Sequence, residues 1–177
     1  MKLHTSRLIL REFRSDDWPA VLAYQKDPRY LRYYAWTGRT AAEVQRFVQM
    51  FIDQQYEEPR TRYQMALCLR ESGDLIGNCG IRRSAAWSHD AEIGYELAPD
   101  QWGKGYATEA VGEILRFGFE ELGLHRIAAW TVADNAASAR VLEKAGFSLE
   151  GRLRDRESFK GQYWDVLMFG ILSAEWR

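Results

Sequence analysis

Asp100-Gln101-Trp102-Gly103-Lys104-Gly105-Tyr106-Ala107-Thr108-Glu109-Ala110 is the stretch whose reading decides the fold. Just before it, Ala91-Glu92-Ile93-Gly94-Tyr95-Glu96-Leu97-Ala98 alternates with the period of a strand. After it, Ala107, Ala110, Val111, Ile114, Leu115, Gly118, Phe119 and Leu122 recur in steps that place them on one helix face. The chain therefore runs strand, glycine-rich turn, helix. Such a turn points free backbone N–H groups and the positive end of the helix dipole at whatever lies in front of it. Gly103 and Gly105 let a ligand approach the backbone closely, and a phosphate is the natural ligand. A Walker loop is excluded, because Lys104 precedes a glycine rather than Ser or Thr. The Rossmann fingerprint is excluded too: its third small residue would be Thr108, and no matching first strand opens the chain.

Outward from this centre the elements follow in order. Arg7 to Phe13 alternates as a strand, and Ser15-Asp16-Asp17 offers caps for a helix from Trp18-Pro19 to about Asp27-Pro28. The aromatic loop Tyr30-Leu31-Arg32-Tyr33-Tyr34-Ala35-Trp36 follows. Its rings are either packing residues or the walls of a pocket for an apolar or cationic group. Thr40-Ala41-Ala42-Glu43 spells a capping box ahead of the stripe Val44, Phe47, Val48, Phe51, Ile52. Arg62–Leu69 and Leu75–Ile81 read as a hairpin about Glu71-Ser72-Gly73-Asp74, with Gly77 and Gly80 marking a bulge or close packing. Beyond the central unit come a strand from Arg126 to Ala133, a short helix capped by Asp134-Asn135 and closed by Gly146, and two antiparallel strands, Phe147–Leu153 and Tyr163–Ile171. The order β α α β β β α β α β β predicts an α+β domain on one mixed sheet of about seven strands with about four helices. The strand-helix-strand unit over residues 91–133 is expected as a right-handed crossover, with the glycine turn at the C-terminal ends of two parallel strands.

Composition narrows the class. A chain of 177 residues is expected to form a single domain, residues 1–177, with 46% hydrophobic and 28% charged residues. A formal net charge of -1 gives no general attraction to nucleic acid or an anionic membrane. Cys68 and Cys79 sit in apolar contexts and read as buried small hydrophobes. The N-terminus lacks an apolar signal core, no run reaches membrane-spanning length, and a cytoplasmic setting is expected. His4, His89 and His125 have no metal-ligand spacing, so no metal site is expected.

Three stretches together resemble the GNAT N-acetyltransferase superfamily, and within it the RimJ/RimL-like branch. They are Thr5-Ser6-Arg7-Leu8-Ile9-Leu10-Arg11; Glu92 to Leu97 leading into Gly103 to Ala110; and Asn135-Ala136-Ala137-Ser138 followed by Glu143-Lys144-Ala145-Gly146-Phe147. The resemblance implies acetyl-CoA as cofactor, with CoA as product. It also implies that the sheet splays at its parallel pair. The pyrophosphate would lie on the amides of Trp102, Gly103, Lys104, Gly105, Tyr106, Ala107 and Thr108, although Trp102 replaces the family's Gln or Arg. The pantetheine arm would fill the splay against the backbone of Leu97 and Ala98, and Asn135 would face the cofactor or serve only as a helix cap. Leu142 stands where many members carry a tyrosine acid, which turns attention to Ser138 as a donor to the sulfur.

Acyl transfer to an amine needs a deprotonated amine, a donor for the carbonyl oxygen and support for the departing thiolate. Glu92 and Glu96 are the candidate bases. They share a strand face, with Gly94 between them. Glu92 aligns with the glutamate base of histone-modifying relatives; Glu96 is nearer the cofactor end. Tyr33, Tyr34 and Trp36 are expected beside the thioester as acceptor-site residues. The acceptor implied is an amine, either a protein N-terminus or a small molecule such as an antibiotic or polyamine, on a monomer or homodimer. A non-catalytic acyl-CoA-binding sensor on the same fold is the competing class.

Overall fold

The computed structural model describes residues 1–176. Its strands are β1 (Lys2–His4), β2 (Leu8–Glu12), β3 (Arg62–Leu69), β4 (Leu75–Arg82), β5 (Asp90–Leu97), β6 (Arg126–Val132), β7 (Ser148–Phe159) and β8 (Gln162–Leu172). Its α-helices are α1 (Trp18–Gln25), α2 (Pro28–Leu31), α3 (Ala41–Asp53), α4 (Tyr106–Arg116) and α5 (Ala136–Lys144). The strands form one 8-stranded sheet in the order β1-β2-β3-β4-β5-β6-β8-β7. Only β5 and β6 run parallel among these neighbours. The α+β reading therefore holds, with additions at the margins. Lys2–His4 pairs as an edge strand on β2. The first predicted helix is two: α1 stops at Gln25, and the Asp27 side chain accepts from the Arg29 N–H at 2.8 Å to start α2 at Pro28.

Sequence chemistry explains most of the boundaries. Both halves of the Thr40/Glu43 capping box are formed, and they start α3. Gly146 adopts φ +93° after α5, as a left-handed C-cap requires. Asp17 stands at the N-cap of α1, but its carboxylate is claimed elsewhere. It takes two bonds from the Arg11 guanidinium, at 2.7 and 2.8 Å, and one from the Arg14 N–H. Gly77 and Gly80 mark close packing: a Cβ would strike the Glu96 carbonyl at one and the Gln64 side chain at the other. The register shift lies opposite, on β3 between Leu67 and Cys68. The last hairpin is longer than expected because β7 continues through an irregularity between Leu153 and Glu157. There Asp155 takes φ 50°, and the Asp165 carboxylate accepts its N–H at 2.8 Å.

Helices cover both faces of the sheet. On one, α4 and α5 bury Val111, Ile114 and Leu142 against Leu10, Leu67, Ile81, Ile127 and Phe169. On the other, α1, α3 and the aromatic loop bury Val21, Tyr24, Tyr30, Val44 and Phe51 with Phe13 and Ala66. Strand β4 lies between the layers and is buried at six consecutive positions, Ile76 to Ile81, where Asn78 is kept in hydrogen bonds to Glu96 and Gln64. Among the described residues no helix is long and apolar enough to cross a membrane.

Candidate active site

The parallel pair opens where the site begins. Strands β5 and β6 are in register only at Asp90/Arg126, Ala91/Ile127 and Glu92/Ala128. Beyond those residues β5 stays on β4 as far as Leu97, while β6 stays on β8 as far as Val132. A wedge-shaped gap therefore separates residues 93–97 from 129–132. The Ala98 N–H donates to the Ile76 carbonyl at 2.8 Å, and the register with β4 places Glu96 and Gly94 in the same bonding phase. Antiparallel strands alternate bonding and outward-facing residues. The backbone groups of Ile93, Tyr95 and Leu97 consequently turn toward the gap. Ala98 was expected to offer its backbone to a pantetheine arm. Its N–H is held by Ile76 and its carbonyl accepts from the Gln101 N–H, while the groups left facing the gap are the Tyr95 backbone and the Leu97 N–H, the Leu97 carbonyl accepting from the Trp102 indole.

At the gap's wide end stands the glycine turn. Gly103 and Gly105 have φ +75° and +82°, and Gly105 is the N-cap of α4 with no side-chain cap. Among the described residues, none of the backbone N–H groups from Gly103 to Thr108 donates to a protein acceptor. A Cβ on Gly103 would meet nothing within 4 Å. A helix start with open, uncapped donors fits a pyrophosphate well. Two of the turn's side chains are engaged locally. The Trp102 indole donates to the Leu97 carbonyl at 2.9 Å and ties the turn to the end of β5, and the Lys104 ammonium donates to Gln101 Oε1 at 3.0 Å.

A clamp from the N-terminus holds the turn, and the sequence reading assigned it no role. One oxygen of Glu109 accepts from the Thr5 and Ser6 hydroxyls and from the Arg7 N–H; the other accepts from Arg7 Nε at 2.7 Å. The same guanidinium donates to the Lys104 carbonyl at 2.9 Å and lies 4.6 Å from the centre of the Tyr106 ring. Burial pushes the Glu109 carboxyl up, but the bonds from Thr5, Arg7 and Ser6 outweigh it and hold its pKa below the usual carboxylate value. The pairing of Thr5-Ser6-Arg7 with Glu109 was the available signal: short donors on one segment, an otherwise unexplained acid in the first turn of α4.

The two glutamates of β5 have different surroundings. Glu92 pairs across the strand with Arg82 at 2.9 Å, and both side chains are exposed. Glu96 accepts from the Tyr24 hydroxyl at 2.8 Å, Gln25 Nε2 at 3.1 Å, the Tyr30 hydroxyl and Asn78 Nδ2. Gln64 donates in turn to Asn78 at 2.7 Å, so the network crosses three strands. Burial, then the Glu96 charge, raises the Tyr24 and Tyr30 phenols far above their ordinary value, and they remain donors. The aromatic loop is built on this anchor. Tyr34 stacks on Tyr30 at 4.5 Å and on Trp36 at 4.4 Å, and the Arg39 guanidinium lies 4.1 Å over Trp36. Tyr33 reaches the other side of the gap: its hydroxyl donates to the Asp134 carbonyl at 2.8 Å, and its ring meets Trp164 edge-on. The Lys160 ammonium donates to the Leu31 carbonyl at 2.6 Å and fastens the β7–β8 tip to the same loop. Tyr33 and Tyr34 thus join the ends of the two splayed strands, with Trp36 stacked behind Tyr34.

Asn135 caps α5, its Oδ1 accepting the Ser138 N–H at 3.2 Å. Ser138 Oγ lies 2.9 Å from the Tyr95 hydroxyl, and the Ser138 carbonyl accepts from that hydroxyl at 3.0 Å. Tyr95 therefore reaches from β5 to the helix that follows β6. Sequence reading counted it only as an apolar member of the alternation. Leu142 is fully buried in the core.

Residues 7–148 match the acetyltransferase (GNAT) domain model. The chain belongs to the GNAT acetyltransferase family. It is 35% identical over 175 residues to the N-acetyltransferase p20 of Bacillus licheniformis, covering 98% of this chain and 97% of that one. The GNAT-family acetyltransferase structure from Bacillus anthracis superposes with a TM-score of 0.87 at 30% identity, covering 99% of this chain and 100% of that one. RimL, a ribosomal L7/L12 alpha-N-protein acetyltransferase solved with coenzyme A, shares the fold with a TM-score of 0.86 at 20% identity, covering 97% and 98% of the two chains. The family's donor is acetyl-CoA, and the open amides of the turn and the wedge between β5 and β6 suit its phosphates and its arm.

Proposed function

We propose that the protein transfers the acetyl group of acetyl-CoA directly to a primary amine, and that this amine is the α-amine of a polypeptide N-terminus. The thioester supplies an acyl carbon whose bond to sulfur breaks, the electron pair leaving on sulfur, as the carbon–nitrogen bond forms and the amine's proton passes to water. The turn at Gly103 to Thr108 anchors the phosphates. The N–H groups of Tyr95 and Leu97 face the gap and polarise the acyl carbonyl. Ser138 supports the departing sulfur.

The observation that carries the choice of amine is that both glutamates of β5 already have partners. Glu92 is paired with Arg82, and Glu96 already accepts four donors. An enzyme whose candidate bases are both engaged does best with an amine that is already neutral. An α-amine, with a pKa near 8, is about one-quarter neutral at pH 7.5, whereas a lysine-like amine near 10.4 is neutral in about one molecule in 800. The charges beside the aromatic loop support the same reading. Arg32, Arg39 and Lys160 flank it with no ion-pair partner among the described residues, whereas Arg29 is neutralised by Asp27 and Asp100, and the three free cations disfavour a polycation there. Glu96 then serves to hold α1 and α2 against β5, and the Tyr30-Tyr34-Trp36 stack forms a wall for the first residue of the acceptor.

Thiol release from acetyl-CoA, followed at pH 7.5 with N-terminal peptides and with polyamines, tests this. Peptides with a free α-amine should support turnover, and blocking that amine should abolish it. Faster turnover of a polyamine than of every peptide would overturn the choice of acceptor. Tight CoA binding with no turnover of any amine would favour a sensor.

A further inference from the structure

Tyr95 and Ser138 are linked across the part of the sheet that is open. Tyr95 stands on β5 beyond Glu92, the last residue paired with β6, and Ser138 stands in the first turn of the helix that follows β6. The phenol oxygen has two contacts there, Ser138 Oγ at 2.9 Å and the Ser138 carbonyl at 3.0 Å. Taking the acetyl-CoA reading above as given, we infer that Tyr95 is a positioning residue for the sulfur: its one proton, shared between the Ser138 carbonyl and Oγ, leaves the Ser138 hydroxyl proton free to point at the departing thiolate.

The chemistry of the pair decides its direction. A serine hydroxyl has one proton. If Ser138 donates it to Tyr95, nothing remains for sulfur. If the Tyr95 proton is shared between the Ser138 carbonyl and Oγ as a three-centre bond, the serine proton is available, and linked hydrogen bonds strengthen one another. A thiolate forming beside Ser138 selects the second arrangement because its charge attracts the proton. Burial raises the Tyr95 phenol above its ordinary value, against the hydrogen bond with Ser138, which lowers it. Tyr95 therefore keeps its proton throughout the working pH range. It is also a far weaker acid than a thiol, whose ordinary pKa is about 8.5, so the pair stabilises the thiolate by hydrogen bonding and does not protonate it. This assigns to β5 and α5 together the task that a tyrosine at position 142 would perform, where this chain has a buried leucine.

The test reads the thiol of bound CoA directly, by ultraviolet titration of the thiolate, alongside steady-state kinetics and CoA affinity. In the unaltered protein the bound thiol should titrate below free CoA. Ser138→Ala should raise that value by about one to two units, the size of a hydrogen bond to a charged group. Tyr95→Phe, which keeps the ring and its packing, should raise it by about half a unit and lower kcat about threefold to tenfold, leaving the CoA dissociation constant unchanged. Ser138→Thr retains the hydroxyl and should preserve both. Because Tyr95 acts through Ser138, the double variant should show no larger shift than Ser138→Ala alone. Additive shifts, or a Tyr95→Phe protein that binds CoA with an unaltered thiol titration and kcat, would overturn the inference. Failure of the unaltered protein to bind CoA would overturn the acetyl-CoA reading as well.

Discussion

Glu109→Gln isolates the clamp that shapes the phosphate-binding turn. The carboxylate gathers Thr5, Ser6 and the Arg7 N–H on one oxygen and the Arg7 guanidinium on the other, and only 15% of its side chain is exposed. An amide of the same shape can still accept on one side, but its NH₂ then faces the guanidinium, donor against donor. Arg7 is itself 48% exposed, so that half of the interaction is partly screened. Loss of the charged pair with one frustrated donor should remove about 1–2 kcal/mol of stability. For a domain of this size that lowers Tm by about 2–8 °C. Freed of Glu109, Arg7 should no longer hold the Lys104 carbonyl, and CoA affinity should fall about fivefold, equivalent to about 1 kcal/mol. The sign with pH follows from the depressed Glu109 pKa. Its contribution is complete above the ordinary carboxylate value near 4.3, and is lost as pH falls through the lower folded value. The gap in Tm between the two proteins should therefore close as the solution is acidified below about pH 4.3. Calorimetric scans at several pH values, with CoA titrations at neutral pH, measure both effects. An unchanged Tm and an unchanged CoA dissociation constant would refute the clamp.

Three further outcomes follow from the same geometry. Gly105→Val puts a β-branched residue at φ +82° beside Arg7, and should weaken CoA binding by at least about tenfold in a protein that still folds; equal affinity by calorimetry would contradict the cradle. Tyr33→Phe removes the bond to the Asp134 carbonyl, and should raise the acceptor KM with the CoA dissociation constant unchanged, as kinetics with both substrates varied will reveal. Glu96→Gln turns an amide donor toward hydroxyl and amide donors in a half-buried network and should lower Tm by about 5–10 °C, whereas Glu92→Gln, on the exposed Arg82 pair, should shift it by less than about 2 °C.

Much of the fold could be read from local rules. The capping box at Thr40, the left-handed glycine at 146 and the alternation of β5 each act within a few residues, and each element formed where it was expected. Boundaries moved where a side chain had two claimants. Asp17 left its helix cap for Arg11, and Asp27 started a second helix instead of ending the first. The candidate site was legible as a glycine turn and less so as a network. Burial and pairing are properties of distant segments: Glu96 and Glu92 look alike in one strand, yet one meets Tyr24 and Tyr30 and the other meets Arg82. Tyr95 was hidden by the alternation itself, since an aromatic at an inward position reads as core until its hydroxyl is seen to reach Ser138. The phase of backbone bonding in β5 was not legible either, because it is set by the contact of Ala98 with Ile76 on β4.

The central claim is that the amine arrives neutral and that no enzyme carboxylate removes its proton. The pH dependence of kcat/KM for the acceptor, measured with a series of N-terminal peptides whose α-amine pKa values differ, addresses it directly. The predicted result is one ascending limb whose midpoint follows the amine of each peptide, unchanged in Glu92→Gln. A midpoint that stays fixed as the peptide changes, and that disappears in Glu92→Gln or Glu96→Gln, would contradict the account and identify the carboxylate concerned as the base.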